Sequence, residues 1–169
     1  MRVKQSLTVM LCFACSGLHV AGGAVAGDAQ EVARDVGAVL AWRLGPEAFE
    51  QHCRDIDPAG AEQRRKALDT WLEKNARLIA SVDERVAAVI PLVRPPRNGE
   101  DVVQAVRAQV QAMLRQEFSA GRNAEESQAI CKLESDPARP RWTSNGLPQV
   151  QNSLAALYDW QVARNAKSP

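Results

Sequence analysis

His52 and Cys53 stand side by side, and Cys131 is the other cysteine beyond the first 26 residues. A thiolate–imidazole nucleophile needs its base within hydrogen-bond reach of the sulfur. Adjacent residues of a helix point about 100° apart and do not face each other. A structural zinc site takes about four ligands, and two cysteines with one histidine fall short of that. The pattern instead predicts a Cys53–Cys131 disulfide. It would close a loop of about 79 residues, which the chain-entropy model values at about 4–5 kcal/mol.

The other residues capable of chemistry form no recognisable constellation. Covalent haem attachment needs C-x-x-C-H, but Cys12-Phe13-Ala14-Cys15 is followed by Ser16. A His/Met haem pair would have to use His52 and Met113, and Met113 falls on an apolar helical stripe that reads as core. The carboxylate pairs Asp83-Glu84, Glu100-Asp101 and Glu125-Glu126 diverge around their helices and read as solvated. The last two fall in first turns, where acids complement the helix dipole. No calcium loop, P-loop or G-x-S-x-G occurs. The sequence thus predicts no catalytic residues, no metal, no cofactor and no enzymatic activity.

Two sets of residues suggest binding. Arg94 and Arg97 flank Pro95-Pro96, and Arg139, Arg141 and Trp142 share a second irregular segment. Arg and Trp dominate interface hot spots, and stiff proline loops lose less entropy on binding. These five residues are the predicted partner-binding set. Trp71 and Asn75, four residues apart, share one helix face. An amide on an apolar stripe either fixes helix register or contacts a small ligand with Trp71 as a wall. That second reading makes them the alternative ligand site.

The segments that position these residues begin with a leader. Arg2 and Lys4 precede an apolar run from Leu7 to Leu18, and Ala24-Val25-Ala26 follows. That is the layout of a secretory signal peptide cleaved after Ala26. At about 12 residues the run is short of the roughly 20 that span a bilayer, so no stable membrane insertion is expected. Neither cysteine fits a lipidation site: bulky Val9-Met10-Leu11 precede Cys12, and Cys15 has Cys12 three positions earlier where an aliphatic residue is expected. Residues 1–26 are therefore read as a cleaved leader and 27–169 as one domain, periplasmic or secreted. Without Arg2 and Lys4, the 21 basic and 20 acidic residues leave a mature chain within about one charge of neutrality. That argues against a nucleic-acid partner, which favours a basic face.

Helical periodicity runs throughout and no strand pattern interrupts it. Glu31–Leu44 forms the first helix, Gly45-Pro46 breaks it, and a short helix reaches Ile56. Asp57 and Pro58 then open the longest helix, which runs to Ile90 on the stripe Leu68, Trp71, Leu72, Ile79, Val82, Val86 and Ile90, with Pro91 ending it. Further helices are expected over about 100–120, 123–134 and 148–166, with Tyr158 and Gln161 on the inner face of the last. The expected fold is all-α: an antiparallel bundle of four principal helices plus two short ones, tied by one disulfide. The expected function is a protein-interaction module acting on an unidentified exported protein, of the immunity or inhibitor type. A small-molecule carrier with an interhelical pocket is the first alternative, and an enzyme is the last.

Overall fold

The computed structural model describes residues 23–97, 99–134 and 147–166. The leader to residue 22 and the segment holding Arg139, Arg141 and Trp142 lie outside them. The described elements are α1 (Gly23–Ile56), a 3-10 turn (Pro58–Gly60), α2 (Ala61–Lys74), α3 (Ala76–Val93), α4 (Val102–Ser119), α5 (Ala124–Glu134) and α6 (Leu147–Ala166). The fold is an all-α bundle with a Cys53–Cys131 disulfide, as the periodicity and the cysteine count imply.

α1 is the axle and packs against each of the other five helices. α3 also packs against α4 and α6, so the order around the bundle is α1, α4, α3, α6. Cross-helix pairs give the directions. Arg43 of α1 and Arg107 of α4 both reach Asp83 of α3, and Phe49 of α1 meets Phe118 of α4. Ser153 of α6 donates to Asp35 of α1, and Arg85 of α3 donates to Gln161. These pairs run α4 and α6 alongside α1 in the same direction, and the short connection from Val93 to Val102 turns the chain back from α3 into α4, so α3 is antiparallel to the other three.

Three helix boundaries differ from the sequence reading. Gly45-Pro46 does not interrupt α1, which continues with Pro46 inside it. Proline removes one ladder hydrogen bond and crowds the preceding turn, at about 3 kcal/mol. Leu44, Ala48 and Phe49 around it are all buried, and each larger side chain contributes on the order of 1.5–3 kcal/mol, so burial outweighs the lost bond. The expected single helix from Asp57 to Ile90 is instead a 3-10 turn and two helices. The joint is Asn75, with φ −103° and ψ 8°, whose side-chain nitrogen donates to the Trp71 carbonyl at 2.8 Å. Pro91 lies inside α3 rather than ending it.

The ends of α4 and α5 follow local rules. Asp101 caps α4 by accepting from the Gln104 amide at 3.1 Å. Gly121 takes φ +68° in the turn after α4, a conformation that favours glycine. Asn123 and Glu126 form a reciprocal capping box at α5, at 2.9 and 3.1 Å.

The apolar interior has two parts. The larger joins Val32, Val36, Val39, Leu40 and Leu44 of α1 to Val82, Val86, Val89 and Ile90 of α3, to Val102, Val106 and Val110 of α4, and to Val150 and Leu157 of α6. The smaller gathers Phe49, Cys53 and Cys131 with Ile56, Phe118 and Ile130 at the far end of α1. Gly45-Pro46 lies between the two in the chain. Met113 is 37% exposed and is not the core residue its stripe suggests.

Candidate functional site

The carboxyl end of α1 is built around an arginine. Arg64 of α2 has no side-chain exposure and pairs with Asp57 at 2.7 Å. Its Nη2 donates to the Cys53 carbonyl at 3.0 Å and to the Asp57 carbonyl. A buried cation there meets carbonyls at a helix carboxyl end, where the dipole favours positive charge. Asp57 was expected to cap the following helix, but its side chain makes no cap hydrogen bond and pairs with Arg64 instead.

A cleft of about 680 Å³, open to solvent, lies beside this end and is lined by His52, Ile56, Ser119, Arg122, Ala124, Glu125, Ser127 and Gln128. Three elements supply the walls: α1 gives His52 and Ile56, the α4–α5 junction gives Ser119 and Arg122, and α5 gives the rest. The His52 ring packs near Phe118 and Phe49, with centroids 6.1 and 6.5 Å away. Arg122 Nη1 donates to the Phe118 carbonyl at 2.7 Å and to the Glu117 carbonyl at 3.3 Å, which fixes the guanidinium over the end of α4. The disulfide stands behind the cleft. It fastens Cys53, next to His52, to Cys131, one turn beyond Ser127 and Gln128.

The environment lowers the His52 pKa below its ordinary value of 6.5, first through burial and then through the Arg122 charge, with Asp55 opposing. The folded chain therefore binds a proton at His52 less readily than the unfolded chain does. Stability is intact above pH 6.5 and falls as pH drops below it, levelling once the folded-state pKa is passed. We expect the His52→Gln chain to lose less of its thermal midpoint than the parent between pH 7 and pH 5. Equal losses in the two chains would exclude His52 as the origin of any acid sensitivity there.

The predicted binding residues are dispersed. Arg94 and Arg97 are exposed on the α3–α4 connection, and Arg94 folds back onto Glu100 at 2.7 Å. Trp71 is 2% exposed and packs on Trp42 with ring centroids 5.0 Å apart. Asn75 spends its amide on the helix joint. This pair lines no part of the cleft described above.

Other features were not anticipated from the residues. Asp83, read as solvated, is an interhelical hub held by Arg107 at 2.7 Å and Arg43 at 3.7 Å. Tyr158, expected on the inner face of α6, is 52% exposed, and Val162 one turn later is 49% exposed. The Arg85 guanidinium lies over the Tyr158 ring, 4.8 Å from its centroid. A signal for Arg64 did exist: it sits on the Leu68–Trp71 stripe at helical spacing, and an acid lies seven residues earlier. Among the described residues, no three His, Cys, Asp or Glu side chains are grouped to hold a metal ion, and no helix is long and apolar enough to cross a membrane. Comparison of this chain with protein-family models, with curated proteins and with solved structures yields no match.

Proposed function

We propose that this chain is an exported protein-interaction module. The observation that carries the reading is the outer face of α6. The one tyrosine of the chain stands half in solvent there, with a guanidinium stacked on its ring and Val162 exposed beside it. Tyr and Arg are the side chains that interfaces use as anchors, and an aromatic ring held by a cation–π contact is pre-oriented for binding. The exposed Arg94–Arg97 loop adds a stiff cationic element. The leader pattern and the disulfide support export. Cleavage after Ala26 would leave Asp28 and Glu31 in the first turn of α1, where acids suit the helix dipole. A small single-domain module of this kind fits an immunity- or inhibitor-type protein.

The test is affinity capture from the exported fraction, using the chain expressed behind its own leader with a carboxy-terminal tag. One near-stoichiometric partner is expected. Tyr158→Ser should weaken it by at least about 2 kcal/mol, roughly 30-fold in Kd. The Arg94→Glu/Arg97→Glu chain should weaken it further if the loop contacts an acidic surface. A partner held at full affinity by both variants would overturn the assignment of the surface.

A further inference from the structure

We propose that the cleft between α1, the α4–α5 junction and α5 binds a small zwitterion, a free α-amino acid with an apolar side chain. The argument is one of chemical complementarity. The volume, about 680 Å³, falls within the several-hundred-Å³ range of small-molecule sites. Arg122, at the α4–α5 junction, and Glu125, in the first turn of α5, both line the cleft and bring it one charge of each sign, which suits a ligand that carries both charges. Ser119, Ser127 and Gln128 add hydrogen-bonding groups, while Ile56, Ala124 and the His52 ring supply apolar surface.

The cationic side of the cleft is fixed in advance. Only Nη1 of Arg122 is engaged by the α4 carbonyls, and a guanidinium has five N–H donors over its three nitrogens. A carboxylate is the group that matches that fork. Arg122 also acts on His52 across the cleft: its charge is the second cause of the lowered His52 pKa. His52 is therefore neutral at pH 7, leaving Arg122 and Glu125 as the charged lining groups. An unaccompanied anion would meet Glu125 and an unaccompanied amine would meet Arg122, whereas a zwitterion satisfies both.

Glu125 takes no part in the α5 capping box, which uses Asn123 and Glu126, so it is available to a ligand without cost to the helix. The disulfide sets the width by holding α5 against α1. This proposal is independent of the α6 surface, and neither stands or falls with the other.

The test is a titration of the full chain, followed by the NMR resonances of the His52 ring and the Ser127 and Gln128 amides. Three probes of the same skeleton are compared at pH 7: leucine, 4-methylpentanoate and 3-methylbutylamine. Leucine should give saturable shifts at these positions, and each single-charge probe should bind at least about 10-fold more weakly. Glu125→Gln, an exposed substitution that leaves the fold intact, should remove most of the preference for leucine over 4-methylpentanoate. Arg122→Gln should abolish leucine binding, with far-UV circular dichroism confirming that α4 and α5 remain folded. The proposal is overturned if no probe gives saturable shifts, if either single-charge probe binds as tightly as leucine, or if Glu125→Gln leaves the preference unchanged.

Discussion

Replacing Arg64 with leucine should cost about 3–5 kcal/mol of folding free energy, the usual penalty for breaking a buried ion pair from one side. Such a loss is a large fraction of the roughly 5–15 kcal/mol that holds a domain together. It would lower a urea midpoint by about 2 M. The reason lies in what remains. Asp57 is buried, and without Arg64 its carboxylate is a charge out of water with no cation at 2.7 Å. The Cys53 and Asp57 carbonyls lose a donor at the end of α1. Leucine also fills less of a site where arginine is among the largest fully buried side chains. The double variant Arg64→Leu/Asp57→Ala separates these parts. Removing both charges deletes the stranded carboxylate, so the double variant should be less destabilised than the sum of the single ones. Strict additivity, or an Arg64→Leu loss below about 1 kcal/mol, would show that the pair is incidental.

The sequence discloses this fold wherever a local rule has no competitor. The turn between α4 and α5 follows from Gly121, whose positive φ suits glycine, and from Asn123, which accepts from the Glu126 amide, whereas Asp101, read as a first-turn acid of a helix from residue 100, is the cap of a helix that begins at Val102. The disulfide follows from the cysteine count, since Cys53 and Cys131 are the two cysteines beyond the leader-like segment. Local rules fail where tertiary burial opposes them. Gly45-Pro46 reads as a break, yet α1 passes through it because the flanking residues are needed in the interior. Asn75 reads as a polar residue in a continuous stripe, yet its amide bends back onto Trp71 and divides the helix.

Periodicity identifies a face but not what lies opposite it. Met113 and Tyr158 both fall near apolar stripes, and both stand exposed among the described residues. The cleft is the least legible feature. His52, Arg122 and Glu125 come from α1, the α4–α5 turn and α5, and only the folded arrangement of these elements puts them on one opening. Arg64 lay hidden in a run with Arg65 and Lys66 that looks solvated. Its place on the Leu68–Trp71 stripe was the informative fact.

Removing the disulfide should have an effect at least as large, and a more local pattern. Cys53 and Cys131 are separated by 78 positions, for which loop-closure entropy gives about 4–5 kcal/mol. The Cys53→Ala/Cys131→Ala chain should lose about that much global stability. The loss will not be evenly distributed. α5 is 11 residues long, and a helix that short is marginal in water without tertiary support. Its main partner is α1, and among the described residues the smaller apolar cluster it joins consists of Phe49, Ile56, Phe118 and Ile130 with the two cysteines. Among the described residues, the larger cluster, from Val32 to Leu157, includes none of α5. Amide exchange along α5 should therefore accelerate more than exchange at Val86, Val106 or Leu157, and the His52 ring should lose the α5 side of its cleft. If the bridge acted only on the unfolded chain, amides that exchange through global unfolding would all lose the same protection, and those that exchange by local opening of α5 would keep theirs. Selective loss in α5 would show that the bond also holds the native cleft closed on its α5 side.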